Sequence, residues 1–421
     1  MIKEPYLHLF DLAICLSDAC DLISPLLAHH HKQVACIAFA IGKELGLDHH
    51  RLEDLVLAAI MHDIGALSLH ERIELMEFET ANTSAHEEIG YSLLNQFKPT
   101  QRIAEIVREH HRHWDGMNAR EESGSSDQIE SDIIHCADRV ALLIDIRENV
   151  IGQAGEIRER ITAKRGTMFR PDVHDAFVSV SDRESFWLDA VSPTIYRTLR
   201  KQVRMGSLML DGSQLNDLAM VFGRIIDFRS RFTATHSAGV AAVAEMLSKA
   251  AGFSKRESGY MRIAGLLHDL GKLAVPREIL EKPGKLESRE FDVIRTHTYH
   301  TFRILDTLDG FDTINMWGAF HHERLNGKGY PFHHTDDNLS LGSRIMCVAD
   351  IFTAIIEDRP YRSGMAPEEV VNVLVTMAKH GFIDTGIVEL LKSNFTAVNG
   401  YREQEQNVSR SLYERMFGTQ R

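Results

Sequence analysis

Residues 236–253 read HSAGVAAVAEMLSKAAGF, and residues 30–47 read HHKQVACIAFAIGKELGL. The two runs begin 206 residues apart, and valine and glycine recur at equivalent positions in both. Self-similarity at a fixed offset is the mark of a duplicated structural unit. The sequence therefore predicts two copies of one module, with a boundary near residue 205.

Besides this valine and glycine, the positions that pair between the copies are histidine and aspartate. The offset is 206 for the first pairs and grows to 211 and then 212, as insertions in the second copy would produce. The pairs are His30 with His236, His62-Asp63 with His268-Asp269, His86 with His297, His110-His111 with His321-His322, and Asp138 with Asp350. Both copies therefore carry the same chemistry-bearing residues in the same order.

Each copy is predicted to be helical. In the second copy Val240, Val243 and Leu247 recur at helical spacing, and Gly252 follows as a C-terminal cap. The segment 258–271 is apolar on most sides, which is typical of a buried central helix. No alternating run is long enough to indicate a sheet.

The predicted fold class is all-α, with two tandem helical domains. The first domain is predicted at residues 1–205 and the second at residues 206–400. Residues 401–421 are polar and are predicted as a C-terminal tail, with a closing helix as the alternative.

The composition of the 421-residue chain narrows the classes of function. A net charge of −13 argues against a nucleic-acid polymer as partner, since phosphate binding needs an excess of lysine and arginine. No apolar run approaches the ~20 residues of a membrane span, and the N-terminus does not resemble a secretory signal. Five cysteines without a CxxC pair favour the cytoplasm. Histidine, with 23 copies, points to metal chemistry.

The second copy offers seven side chains that can bind metal ions. Five imidazoles and two carboxylates are too many for one tetrahedral zinc ion, so we expect two ions with one carboxylate between them. Asp269 is the bridging candidate, because it lies beside the inner face of its helix and has two oxygens to share. The seven side chains are His236, His268, Asp269, His297, His321, His322 and Asp350.

Two such ions would polarise a phosphodiester and generate a nucleophile from water at neutral pH. Lys272 lies one helical turn beyond His268 and could neutralise a phosphate oxygen. Arg359 and Arg362, which follow Asp350, could do the same from another side. The sequence thus predicts an enzyme that hydrolyses phosphodiesters, with Asp269 and Lys272 as catalytic residues.

Several strings of the second copy resemble the HD-GYP domain, the phosphodiesterase branch of the HD superfamily that hydrolyses cyclic dinucleotides. The resemblance covers roughly residues 215–395, with the strings in family order and at family-like spacing. The strings are HDLGK at 268–272, VPREILEKPGKL at 275–286, HHERLNGKGYP at 321–331, SRIMCVAD at 343–350 and RPYR at 359–362.

This resemblance implies a site with two divalent transition-metal ions, iron or manganese ahead of zinc, nickel or cobalt. Phe232 stands where some members have a glutamate that holds a third ion, so two ions are expected. One ion would take His236, His268, Asp269 and Asp350, and the other would take Asp269, His297, His321 and His322.

The resemblance also implies the substrate and the residues that contact it. Lys272, Arg359 and Arg362 would contact the substrate phosphates, and Tyr330 would lie beside the substrate pocket. Cyclic di-GMP is the default substrate and 3'3'-cyclic GMP-AMP the alternative. Either would be cleaved to a linear dinucleotide, or further to mononucleotides.

One competing hypothesis is a non-catalytic receptor, or a scaffold that binds diguanylate cyclase domains. Another is a nucleotide phosphohydrolase of the wider HD superfamily, a group that lacks the HHE-to-GYP string.

Copy one keeps every ligand-type residue but lacks the charged residues around them. Ala66 stands where copy two has Lys272, Arg112 stands where it has Glu323, and no RPYR string follows. We therefore predict a degenerate HD domain with a role in regulation, homodimer formation or ligand sensing. The residues that could form a second metal site, occupied or empty, are His30, His62, Asp63, His86, His110, His111 and Asp138.

Overall fold

The structure, a computed structural model, describes residues 7–23, 29–66, 78, 84–114, 128–203, 210–228, 234–358 and 363–418. The chain divides into two units, Leu9–Leu208 and Met209–Arg421, and the second also takes Met1–His8. Every regular element among the described residues is a helix, and the only β-pairing there is in isolated bridges. The predicted all-α class is confirmed. No described helix is long and apolar enough to cross a membrane.

Ten α-helices lie in the described part of the first unit. They are α1 (Leu9–Asp21), α2 (His30–Glu44), α3 (His49–Met61), α4 (Ser84–Leu94), α5 (Gln101–Arg108), α6 (Ile129–Leu143), α7 (Val150–Thr162), α8 (Pro171–Ser181), α9 (Glu184–Ala190) and α10 (Ile195–Val203). A short 3-10 helix, Lys98–Thr100, precedes α5. Helix α2 is central, because α3, α6 and α8 all pack against it.

Ten α-helices also lie in the described part of the second unit. They are α11 (Gly212–Asp227), α12 (His236–Ala250), α13 (Lys255–Leu267), α14 (Arg277–Leu280), α15 (Ser288–Leu305), α16 (Asp312–Ala319), α17 (Leu341–Ile356), α18 (Pro367–Lys379), α19 (Thr385–Ser393) and α20 (Phe395–Phe417). A 3-10 helix, Leu270–Ala274, follows α13. Helix α12 is central here, with α13, α17 and α20 packed against it.

The helices repeat at the offsets found in the sequence. Both limits of α2 and α3 lie 206 residues before those of α12 and α13. Both limits of α5 lie 211 residues before those of α16, and α6 and α17 begin 212 residues apart. The two tandem modules of one helical fold are therefore confirmed.

Helix α13 delivers the His-Asp pair to the middle of the second unit. It begins at a capping box, in which the Glu257 backbone N–H donates to the Ser254 hydroxyl at 3.2 Å and the Ser254 N–H donates to the Glu257 carboxylate at 2.8 Å. Most of its residues from Ser258 to Leu267 are buried, and the last five are apolar. The α-helix ends at Leu267, so His268 and Asp269 lie where the chain turns into the 3-10 helix. This turn lets two adjacent side chains face the same pocket.

A glycine follows the His-Asp pair in each unit because the backbone of another helix lies against it. A Cβ atom on Gly271 would lie 1.9 Å from the carbonyl oxygen of His297, and one on Gly65 would lie 2.0 Å from that of His86. In the second unit, Thr301 fixes this contact: it accepts a hydrogen bond from the Gly271 N–H at 2.9 Å and donates one to the His268 carbonyl at 3.0 Å. This close approach places α15, and with it His297, next to His268 and Asp269.

The C-terminal segment is a helix of the second unit. Residues 401–417, predicted as a tail or a closing helix, form most of α20, which packs on α12. Its buried polar side chains bond to the rest of the unit. Ser409 donates to the Ala234 carbonyl at 2.8 Å, and Gln406 donates to the Glu357 carboxylate. Of the two alternatives, the structure has the closing helix, while the predicted domain limits stay predictions.

We expect Gly271→Ala to destabilise the second unit by about 1–3 kcal/mol, the usual cost of overpacking a tight contact. The physical reason is the 1.9 Å approach of the added methyl group to the backbone of His297. Urea denaturation of the full chain measures the change. Gly259→Ala is the control, since a Cβ there meets nothing within 4 Å. Equal stability of the two variants would show that the close approach is not required.

Candidate metal centre

Five helices of the second unit bring the seven predicted ligand residues together. Six of the seven are buried, and His322 is half-buried. The set is His236 at the start of α12, His268 and Asp269 after α13, His297 in α15, His321 and His322 after α16, and Asp350 in α17.

Asp269 lies at the centre of the cluster, and its two oxygens face different histidines. Oδ2 lies 3.2 Å from Nε2 of His268 and 3.9 Å from Nε2 of His236. Oδ1 lies 3.4 Å from Nε2 of His297 and 3.8 Å from Nε2 of His321. This is the placement that a carboxylate bridging two ions requires.

Asp350 lies on the His236 side of the cluster. Its Oδ1 is 3.2 Å from Nε2 of His236 and 3.9 Å from Nε2 of His268, and its Oδ2 is 3.9 Å from Nδ1 of His322. The ligand atoms of His236, His268 and Asp350 lie within 4.8 Å of one another, as do those of His297, His321 and His322. The cluster thus divides into two groups with Asp269 between them.

Backbone carbonyls determine which ring nitrogen of three histidines faces the cluster. Nδ1 of His268 donates to the Gly265 carbonyl at 2.7 Å, Nδ1 of His297 to that of Ile294 at 2.5 Å, and Nδ1 of His321 to that of Gly318 at 2.7 Å. A carbonyl can only accept, so each neutral ring presents a bare Nε2 lone pair to the cluster.

Burial keeps several of these rings neutral. It lowers the pKa of His297 to about 3 and that of His322 to about 4, and it holds the pKa of His321 well below its usual range. Burial alone would raise the pKa of Asp269, but its neighbours His268 and Lys272 outweigh that effect and hold the pKa well below its usual value. Neutral imidazoles around ionised carboxylates are the protonation states that bind metal ions.

The donor set fits divalent transition-metal ions. Nε2 of His297 and Nε2 of His321 lie 3.2 Å apart although both carry lone pairs, so a proton or cation must lie between them. Nε2 of His268 and Oδ1 of Asp269 are buried and have no hydrogen-bond partner among the described residues. Such atoms cost free energy unless a cation satisfies them.

Lys272 and Tyr330 lie at the edge of this cluster. The ammonium of Lys272 donates to Oδ2 of Asp269 at 2.5 Å, and its side chain is 20% exposed, so it lies between the buried carboxylate and solvent. The ring of Tyr330 lies 5.0 Å from that of His322, centroid to centroid. The guanidinium of Arg295, which the sequence did not single out, lies 5.2 Å from the Tyr330 ring. Arg359, Arg362 and Phe232 lie outside the described residues.

Glu323 shapes the loop that carries Tyr330. It is buried, and its carboxylate accepts backbone N–H groups of Phe332 at 2.7 Å and His334 at 3.0 Å. A Cβ on Gly329 would lie 2.4 Å from the Cα of Glu323, so the loop is folded directly onto the residue after the two histidines.

Glu357 is a residue of the site that the sequence analysis missed. Nδ1 of His236 donates to its carboxylate at 3.1 Å, which leaves Nε2 of His236 facing Asp350. Carboxylates that orient a metal-binding histidine in this way raise its basicity. Its spacing was the one signal in the sequence, because Glu357 follows Asp350 by seven residues, about two helical turns, directly after the end of α17.

The first unit reproduces this geometry. Nε2 of His62 lies 3.2 Å from Oδ2 of Asp63, and Nε2 of His110 lies 3.6 Å from Oδ1 of Asp63. Nε2 of His30 lies 2.9 Å from Oδ1 of Asp138. All seven predicted residues of the first copy are buried there.

One buried arginine distinguishes the first unit. Arg139 is 1% exposed and donates from Nε to Oδ2 of Asp138 at 3.0 Å. The equivalent residue in the second unit is Ile351, at the offset of 212 that relates Asp138 to Asp350. Sequence analysis did not identify this difference.

Comparison with known proteins agrees with the duplicated fold. The HD domain family matches residues 220–387 and, separately, residues 27–143. The 3'3'-cGAMP-specific phosphodiesterase 1 of Vibrio cholerae is 26% identical over 394 residues, which cover 90% of each chain. A cyclic di-GMP phosphodiesterase of Pseudomonas aeruginosa is 40% identical over 126 residues, 30% of each chain.

A solved structure shares the fold along nearly the whole chain. The crystal structure of the V. cholerae cyclic GMP-AMP-specific phosphodiesterase V-cGAP3 superposes with a TM-score of 0.65 at 24% identity, and covers 93% of this chain and 98% of that one. The chain therefore belongs to the HD domain family, and it joins a first HD domain with reduced motifs to a second one of the HD-GYP type.

Proposed function

We propose that the second unit is a metal-dependent phosphodiesterase that hydrolyses a cyclic dinucleotide. The observation that carries the proposal is Asp269, whose two oxygens face separate histidine groups while Lys272 contacts it from the solvent side. This is the arrangement of a two-ion site for phosphoryl chemistry. A divalent transition metal is proposed, since the ligands are nitrogen and carboxylate without thiolate, and iron and manganese are the first to test, ahead of zinc, nickel and cobalt.

The site residues have distinct tasks in this reaction. Bound metal ions supply Lewis-acid stabilisation of the phosphate and a water that is nucleophilic at neutral pH. Lys272 places a fixed positive charge at the edge of the site, where it stabilises a phosphate oxygen as negative charge develops. One P–O bond of the ring breaks, the hydroxyl of water joins phosphorus, and the leaving sugar oxygen takes a proton. The product is a linear dinucleotide.

The relatives favour 3'3'-cyclic GMP-AMP as the first substrate to test. Two V. cholerae enzymes named as specific for it, phosphodiesterases 1 and 3, match 90% and 87% of this chain, whereas the P. aeruginosa cyclic di-GMP enzyme matches 30%. Cyclic di-GMP is the second candidate.

The five cysteines are free and buried, which supports the predicted cytoplasmic location. Binding of diguanylate cyclase domains and formation of a homodimer stay predictions.

Asp269→Asn is expected to lower turnover by ~10³-fold or more and to reduce the metal content, because the bridging charge is lost at constant shape. Turnover of both cyclic dinucleotides and the metal content of the purified chain are the measurements. Asp63→Asn, the matched change in the first unit, should leave turnover near normal. If the two variants behaved alike, catalysis could not be assigned to the second unit.

Lys272→Met should lower kcat by ~10²-fold or more with the metal content unchanged, as expected for loss of one charge-stabilising donor. Lys249→Met serves as the control, since its ammonium pairs with Glu245 on an exposed helix face. Loss of metal from Lys272→Met would instead assign the lysine a structural role through its bond to Asp269.

Glu357→Gln is expected to weaken metal binding ~10–100-fold, because Glu357 orients His236 through Nδ1 and is not one of the seven predicted ligands itself. Turnover should return when the metal is saturating, which separates a positioning residue from a catalytic one. Glu389→Gln is the control, because its carboxylate pairs with Lys392 at the surface. Unchanged metal affinity in Glu357→Gln would exclude this role.

A further inference from the structure

The first unit contains a cluster of four ligand residues, Asp63, His86, His110 and His111, which we call the four-ligand cluster. We infer that it holds one divalent metal ion, that this ion has a structural role, and that the first unit holds no second ion. This inference goes beyond the proposed hydrolysis and does not depend on it. One ligand atom from each of the four residues lies within 4.8 Å of the others.

The distances within the cluster match a tetrahedral site. Metal–ligand bonds of about 2.0–2.1 Å place tetrahedral ligand atoms about 3.3 Å apart. Nε2 of His86 and Nε2 of His110 are 3.4 Å apart, and they lie 3.5 Å and 3.6 Å from Oδ1 of Asp63. The spacing of these three atoms is therefore close to that around one zinc-sized ion, and the ligand atom of His111 lies within 4.8 Å of each of them.

The histidines present lone pairs to this site. Nδ1 of His110 donates to the Val107 carbonyl at 2.6 Å, so Nε2 of the neutral ring carries no proton. His111 is 7% exposed, and its Nε2 has no hydrogen-bond partner among the described residues. A buried ring nitrogen without a partner costs free energy that a metal ion would recover.

The charges of the first unit favour one ion in the four-ligand cluster and none near Asp138 and His30. Glu87 is buried and its carboxylate accepts the backbone N–H of His111 at 3.0 Å, which adds negative charge beside the four ligands. At the other end, Arg139 neutralises Asp138, and its permanent positive charge repels a cation near His30. The second unit has Ile351 in place of this arginine.

The ion would be structural because it stands alone in the first unit, whereas hydrolysis of a phosphodiester by a two-ion site needs both ions. The first unit also lacks a cation at the position of Lys272, where it has Ala66. Metal binding here would thus stabilise the fold of the first unit without catalysis.

Metal counting on the full chain tests the inference. The Asp269→Asn chain is stripped with a chelator, reconstituted with Co²⁺, and measured by elemental analysis and visible absorption. We expect the addition of His111→Ala to remove one Co²⁺ per chain, together with intense bands typical of tetrahedral cobalt. No loss of cobalt in a folded double variant would overturn the inference, whatever the hydrolytic activity of the wild-type chain.

Two further variants test the position and the number of the ion. His50→Ala alters an exposed group, His49, His50 and Glu53, that could also gather a cation, and it should leave the count unchanged. Loss of the tetrahedral cobalt from this variant would overturn the inference.

Arg139→Ile, which gives the first unit the residue of the second, should raise the number of Co²⁺ ions bound by the first unit from one to two. A count that stays at one in the folded variant would contradict the charge argument.

Discussion

A carboxylate buried among histidines is the constraint on which the second unit depends. Asp269 is 2% exposed, and removing a carboxylate from water costs on the order of several kcal/mol unless positive charge surrounds it. Lys272 supplies one such charge directly. The imidazoles face Asp269 with their Nε2 atoms, so metal ions supply the remainder when bound. Folding and metal binding are therefore coupled through this one side chain.

The backbone around this carboxylate is common to both units, and the charges are not. His62 and His268 lie at the same 3.2 Å from the neighbouring aspartate, and Gly65 and Gly271 meet a carbonyl oxygen at 2.0 and 1.9 Å. The differences are single charged residues, such as Lys272 against Ala66. Since a fold hosts many functions through the residues placed on it, one helical frame can carry a catalytic and a structural site.

The sequence predicts the helical class, and the histidines and aspartates that it pairs between the copies lie together in each unit because the helices repeat at the offsets of those residues. It does not predict the partners that orient them. Glu357 lies outside every recognised string, and a carboxylate at a helix end is usually a solvated residue. Arg139 is missed for a related reason: an arginine after an aspartate is normally exposed, and only tertiary packing shows that this one is 1% exposed.

Arg139 carries a permanent positive charge, whereas a metal ion brings a positive charge that can exchange with solvent. The guanidinium of Arg139 is part of the chain, so Asp138 is compensated whatever the metal concentration. Asp350, its equivalent, has an isoleucine beside it in the sequence and lies 3.2 Å from Nε2 of His236, as Asp138 lies 2.9 Å from Nε2 of His30. Any ligand that binds only the folded state stabilises that state in proportion to its occupancy. The permanent charge contacts a different carboxylate in each unit, since Lys272 contacts the central Asp269 of the second unit and Arg139 contacts Asp138 of the first. Metal supply therefore stabilises the two units through different carboxylates.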